Sequence, residues 1–177
     1  MNIEKLKKNV RNVPDFPIQG IQFKDVTTLF KYPEILRELS DGISEIYRNK
    51  GITKVVGIES RGFILGPLLA ERLFAGFVPV RKKGKLPAAV FEETYMKEYG
   101  TDVIQIHQDA INENDVVLLH DDLLATGGTM KAAVHLIQKF NPKKIYVNFL
   151  IELTGLNGRN LFEEMNIQVD SIIKYDF

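Results

Sequence analysis

Asp121 and Asp122 are the residues most able to do chemistry in this chain, because of what stands on either side of them. Val116-Val117-Leu118-Leu119 precedes them and Leu123-Leu124-Ala125-Thr126-Gly127-Gly128-Thr129 follows. The apolar run, half of it β-branched, predicts a buried parallel strand that ends at the acidic pair. From Met130 to Phe140 the apolar spacing is helical. The order is therefore strand, acidic pair, glycine turn, helix. Glycine permits positive φ and a close approach of ligand to backbone. Amides of Ala125, Thr126, Gly127, Gly128 and Thr129 can then converge at a helix N-terminus, where partial positive charge favours an anion. Two threonine hydroxyls add donors, and the whole suits a phosphate monoester. The carboxylates would repel that phosphate, so their use is different: they accept hydrogen bonds from a sugar diol. A phosphate cradle beside a diol acceptor describes a ribose 5-phosphate site.

Two further segments carry charge at strand ends. Glu59-Ser60-Arg61-Gly62 follows the buried strand Lys54 to Ile58. Ser60 and the Gly62 amide offer donors there, and Arg61 a planar fork for phosphate oxygens; a plain turn with Ser60 as helix cap is the alternative. Arg81-Lys82-Lys83-Gly84-Lys85 puts four cations in five residues after the strand Phe77 to Arg81. Such a run is a solvated surface unless a polyanion must be held there.

The segment 121–129 resembles the phosphoribosyl pyrophosphate (PRPP) motif of the type I phosphoribosyltransferases, in their adenine-using branch, and the likeness extends from about residue 13 to 160. The resemblance implies an α/β fold, a parallel sheet flanked by helices, with a small N-terminal hood over the base (about 1–30) and a flexible catalytic loop (about 82–103). It implies transfer of the phosphoribosyl group to adenine, with Asp121 and Asp122 on the ribose and 125–129 on the 5-phosphate. Ser60, Arg61, Arg81, Lys82 and Lys85 would hold pyrophosphate, and Lys83 would stay in solvent. In the family the peptide before the serine is often cis. Glu98-Tyr99-Gly100 matches the family's catalytic loop, with Glu98 as acid–base or charge-stabilising group and Tyr99 beside it. Gln22, Phe23 and Lys24 match the hood, where an aromatic stacks on the base, and Leu153 matches an apolar wall opposite. Lys24 stands where arginine is common, and His120 where an apolar residue is usual. Mg²⁺ is expected as a cofactor bound mainly through PRPP, and a homodimer as the assembly. A different base (hypoxanthine, guanine, xanthine or orotate) and a PRPP-binding regulator without turnover remain the alternatives.

The elements needed to position these residues are legible in outline. The chain has 177 residues, 45% apolar and 26% charged, enough for one domain with a real core. Lysine plus arginine equals aspartate plus glutamate at 23, so bulk charge calls for neither a nucleic-acid nor a membrane partner. With no cysteine, disulfides and thiolate metal sites are excluded. His107, His120 and His135 lack ligand spacing. The N-terminus lacks the apolar core of a signal peptide, and no apolar run reaches the ~18 residues of a membrane span, so a cytoplasmic protein is expected. A short helix is expected near Ile3 to Val10, an irregular loop over 13–24 and a helix opened by Pro33. Another helix should run from Gly62 to about Ala75. Residues 82–101 read as a β-ribbon or mobile loop and Val103 to His107 as a strand. Lys144 to Ile151 and Gln168 to Lys174 read as strands, with a helix over Leu156 to Glu164 between them. Strands alternating with helices imply a parallel sheet whose strand ends share one ligand-binding rim.

Overall fold

The computed structural model describes every residue except Pro17, Glu98, Tyr99 and Phe177. A seven-stranded sheet runs in the order β5-β6-β4-β3-β7-β8-β9. Its five parallel strands are β3 (Lys54–Ile58), β4 (Gly76–Lys82), β7 (Val116–Leu124), β8 (Lys144–Leu153) and β9 (Val169–Tyr175). At one edge β5 (Val90–Lys97) and β6 (Gly100–His107) form an antiparallel ribbon that joins β4. The sheet is therefore mixed, and the charged stretch after β4 includes a β-ribbon, the first of the two forms expected for residues 82–101.

Side-chain alternation divides the core. Val56, Ile58, Val117, Leu119, Val147 and Phe149 face α4 (Gly128–Gln138) and α5 (Asn160–Glu164), where Met130, Val134, Ile137 and Phe162 cover them. Val55, Leu118, Leu150 and Ile173 face the other layer: α1 (Ile3–Asn9), α2 (Pro33–Tyr47) and α3 (Gly62–Arg72), through Leu6, Leu39, Ile43 and Leu65. Pro33 opens α2, whose Tyr47 is fully buried and donates to Asp170 Oδ2 at 2.8 Å.

Several boundaries differ from the sequence expectation. Residues 13–24 are not wholly irregular, because β1 (Arg11–Pro14) pairs antiparallel with β2 (Gln22–Asp25). Pro14 is tolerated there because it ends the strand. Strand β7 does not stop at the acidic pair: Asp121 still pairs with Phe149 and Leu123 with Ile151 on β8. Backbone partners on β8 carry the ladder past the carboxylates. The expected helix over 156–164 divides into a 3₁₀ turn at Thr154–Leu156 and α5, separated by Asn157 at φ 54°. Helix α3 ends at Arg72, short of Ala75. Among the described residues no helix is long and apolar enough to cross a membrane.

The chain passes from β3 to β4 on one side, then returns to place β7 on the other side of β3. Such a reversal opens a crevice beyond the carboxyl ends of the two strands. Both candidate loops, after β3 and after β7, start there.

Candidate active site

A cavity of about 470 Å³ lies over this crevice, lined by Glu59, Ser60, Arg61, Lys82, Tyr95, Asp121, Asp122 and Thr129. A smaller hollow of about 180 Å³ shares Arg61, Asp121, Asp122 and Thr129 and continues over Ala125, Thr126, Gly127 and Gly128. The two form one cleft with the acidic pair at the junction. Most of the residues assigned to ribose, 5-phosphate and pyrophosphate meet in it.

The phosphate cradle follows from backbone geometry. Gly127 caps α4 at φ 84°, a left-handed conformation that favours glycine. Helix α4 starts at the next residue, so its unpaired N-terminal amides face the smaller hollow. Opposite, the Glu59–Ser60 peptide is cis. Arg61 then caps α3 and no side chain closes the cap, so Ser60 does not serve as an N-cap. Gly62 is required by space: a Cβ there would lie 2.7 Å from the His120 carbonyl oxygen and 3.3 Å from Asp121 Oδ1. That contact seats the Ser60–Arg61 loop directly on the acidic pair.

The electrostatics of the pair are set by burial. Asp122 is 4% exposed, and its Oδ2 receives Arg61 Nε at 2.5 Å. The Asp122 amide donates to Asp121 Oδ1 at 2.9 Å. Burial raises both carboxyls above the ordinary aspartate range. The rise is greater for Asp121, which also feels the charge of Asp122; at Asp122 the Arg61 charge and hydrogen bond offset part of the burial. His120 is not a strand-end residue. It is buried within β7, with Nδ1 2.9 Å from Asn148 Oδ1, and burial pushes its imidazole down to about 4. It is neutral at pH 7 and adds no charge beside Asp121.

Three expected cations are placed differently from one another. Lys82 lines the cavity, its Nζ 3.9 Å from Asp102 Oδ2. Arg81 is engaged with Glu59, donating through Nε at 3.2 Å and Nη2 at 3.3 Å, while Nη1 donates to the Lys85 carbonyl at 3.4 Å. Neither Arg81 nor Lys85 lines the cleft. Lys83 is exposed and pairs with Glu92 at 3.7 Å. The sequence reading missed Glu59 as the acceptor that organises this corner, and it missed Tyr95, which β5 brings to the cavity wall.

The hood reaches the same place. The Phe23 ring lies 5.5 Å from the Arg61 guanidinium and packs edge-on against Phe16 at 5.1 Å. Gln22 Oε1 accepts from Asn12 at 2.7 Å; Lys24 Nζ donates to Asn12 at 2.9 Å and lies 4.7 Å from the Tyr175 ring centroid. Tyr175 pairs in register with Leu153, the buried last residue of β8. Tyr175, absent from the sequence reading, thus connects hood and apolar wall. Glu98 and Tyr99 lie outside the described residues, between Lys97 and Gly100, which pair with each other.

A sheet reversal carrying a phosphate cradle beside a buried acidic pair is the arrangement of a phosphoribosyl-transferring class. Residues 25–169 match the phosphoribosyl transferase domain model. The chain is 66% identical over 174 residues to the adenine phosphoribosyltransferase of Bacteroides fragilis, covering 98% of each. Among solved structures, the adenine phosphoribosyltransferase of Rhodothermus marinus is 50% identical with a TM-score of 0.89, covering 98% of each chain. The Giardia lamblia enzyme, complexed with 9-deazaadenine, is 40% identical with a TM-score of 0.93, covering 99% of this chain and 98% of that one. The chain belongs to the type I phosphoribosyltransferases, among the adenine phosphoribosyltransferases.

Proposed function

We propose that this cleft carries out adenine phosphoribosyl transfer, adenine and PRPP giving AMP and pyrophosphate, with the following division of labour. Asp121 and Asp122 accept hydrogen bonds from the ribose hydroxyls. The amides and hydroxyls of Ala125 to Thr129 hold the 5-phosphate, which fixes the anomeric carbon in the cleft. Ser60, Arg61 and Lys82 face the pyrophosphate, while Arg81 and Lys85 shape that corner from outside the cavity wall. Adenine enters under Phe23, with Gln22 and Lys24 on the hood and Leu153 as the wall. Adenine N9 forms the new bond to the anomeric carbon as the carbon–oxygen bond to pyrophosphate breaks, with inversion. Positive charge gathers on the ribose in passing, as in glycoside chemistry, and the electron pair leaves with pyrophosphate. In this reading Glu98 takes the N9 proton or steadies the ribose charge, with Tyr99, its neighbour in sequence, assisting it.

Among the described residues no cluster of three or more acidic or histidine side chains is suited to a metal ion. Asp121 and Asp122 at the cavity wall, the second engaged by Arg61, offer too few free carboxylate oxygens for a protein-held ion and fit a Mg²⁺ that arrives on the oxygens of PRPP. When bound, it neutralises charge on the leaving pyrophosphate. A homodimer and a cytoplasmic location belong to the same reading.

The acidic pair at the junction of the two hollows is the observation that carries it. A chromatographic assay with PRPP and Mg²⁺, run in parallel on adenine, hypoxanthine, guanine and orotate, tests it. AMP from adenine alone is expected. Turnover of another base overturns the hood assignment, and PRPP binding without any turnover makes the protein a regulator.

A further inference from the structure

The connection leaving β8 carries an ion pair that the site described above does not use. Glu152 is 4% exposed and is the one acid of β8. Arg159, seven residues on, donates to it through Nε at 2.8 Å and Nη2 at 2.5 Å, a planar fork on a carboxylate. The same guanidinium donates to the Val169 carbonyl at 2.7 Å and to Ser171 Oγ at 3.2 Å, so it is fastened to β9 as well. Burial alone would raise the Glu152 carboxyl; the Arg159 fork, with Ser171 and the Lys174 charge, outweighs it and keeps the group ionised.

Gly158, immediately before this arginine, is buried against the phosphate loop. A Cβ built on it would overlap the Ala125 carbonyl oxygen and lie 2.9 Å from the carbonyl carbon of Thr126. Across the same contact, a Cβ on Gly127 would lie 3.0 Å from the Gly158 carbonyl oxygen. Backbone thus rests on backbone, flanked by the Leu124, Leu161 and Phe162 side chains, and leaves little room for a displacement.

We infer that Glu152 and Arg159 are positioning residues for the 5-phosphate: their ion pair anchors the connection whose Gly158 backbone holds the Ala125–Gly127 loop in its phosphate-binding shape. This rests on the assignment of that loop to the 5-phosphate. Neither side chain lines the cleft, so both act through Gly158.

Ribose 5-phosphate and pyrophosphate, titrated separately by calorimetry into wild type, Gly158→Ala, Glu152→Gln and Arg159→Lys, test the inference alongside steady-state kinetics. Gly158→Ala is expected to weaken ribose 5-phosphate tenfold or more and to raise KM for PRPP by a similar factor. Glu152→Gln and Arg159→Lys are expected to do so about threefold to tenfold. Pyrophosphate affinity and KM for adenine should stay within twofold. If Gly158→Ala does not fold, the other two variants decide. A general loss of structure would lower active fraction and melting temperature while leaving the ratio of the two affinities unchanged, and that result overturns the inference. Variants that bind ribose 5-phosphate as wild type does overturn it while leaving the loop assignment standing. A wild type that binds pyrophosphate but no ribose 5-phosphate removes the loop assignment and this inference with it.

Discussion

Two carboxylate sites flank the Ser60–Arg61 loop, each with an arginine, and they are opposites electrostatically. Glu59 accepts from Arg81 Nε and Nη2 and from the Lys82 amide at 3.0 Å; these bonds hold its carboxyl below the usual range. Asp121 and Asp122 sit one strand away, and burial pushes both up. An adjacent arginine does not by itself decide the proton affinity of a carboxyl. Desolvation and a like-charged neighbour outweigh one cation, while three donors on a partly solvated group outweigh desolvation. Glu59 is therefore already satisfied and organises the corner. The aspartates line the cavity, where a ligand with hydroxyl donors can reach them, which is what a binding group for a diol should be.

The largest break in this contrast should come from Asp122→Asn. A hydrogen bond to a charged group contributes about 1.5–3 kcal/mol, and about 1.4 kcal/mol corresponds to a decade in rate. The substitution should therefore lower kcat/KM for PRPP roughly tenfold to a hundredfold, leaving KM for adenine near the wild-type value. Steady-state kinetics with each substrate varied checks this; a change below about threefold would place the ribose elsewhere. Because both carboxyls are raised, the acid limb of kcat/KM for PRPP should lie above the ordinary aspartate range.

Asp121→Asn sharpens the comparison through stability. A carboxyl raised above its unfolded value favours the folded state when protonated, and that contribution is lost as pH rises through the folded pKa. At pH 7 the wild type carries the penalty and the asparagine variant does not. The amide oxygen can still accept from the Asp122 amide. The variant should melt about 2–4 °C higher at pH 7, corresponding to about 1 kcal/mol in a chain of this size, with the gain vanishing near pH 4. It should also be less active. Calorimetric melting across pH 4–8 checks the sign, and a variant that melts lower at pH 7 would refute burial as the cause.

The legible parts of the molecule were those whose signal is local. Strand β3, expected and found over Lys54–Ile58, ends where its apolar run does, and Gly127 announces the turn that opens α4. The unread parts depend on partners distant in the chain. Strand β7 continues through Asp121 because β8 supplies the pairing. Glu59 meets Arg81 because β3 and β4 align Ile58 with Val80. The seat of Phe23 on Arg61 depends on a hairpin whose strands are four residues each. One missed signal was available: Glu152 is the one acid near the end of a largely apolar strand, and a buried acid there requires a partner such as Arg159.

The smallest expected effect is also the strictest test of the contrast. Glu59→Gln removes a carboxyl whose folded pKa is depressed, so its contribution has the opposite sign to that of Asp121. It is present above the unfolded value and is lost as pH falls through the folded one. The Glu59 side chain is 18% exposed and that of Arg81 34%, so solvent screens the pair and the loss at pH 7 should stay under ~1 kcal/mol. The variant should melt no more than about 2–4 °C below wild type at neutral pH, with the deficit closing as the solution is acidified. Plotted against pH, the Glu59→Gln and Asp121→Asn differences should lie on opposite sides of zero and converge in acid. Two curves of the same sign would mean that the two acids share one electrostatic environment, and the separation of an organising carboxylate from a ligand-binding pair would fall.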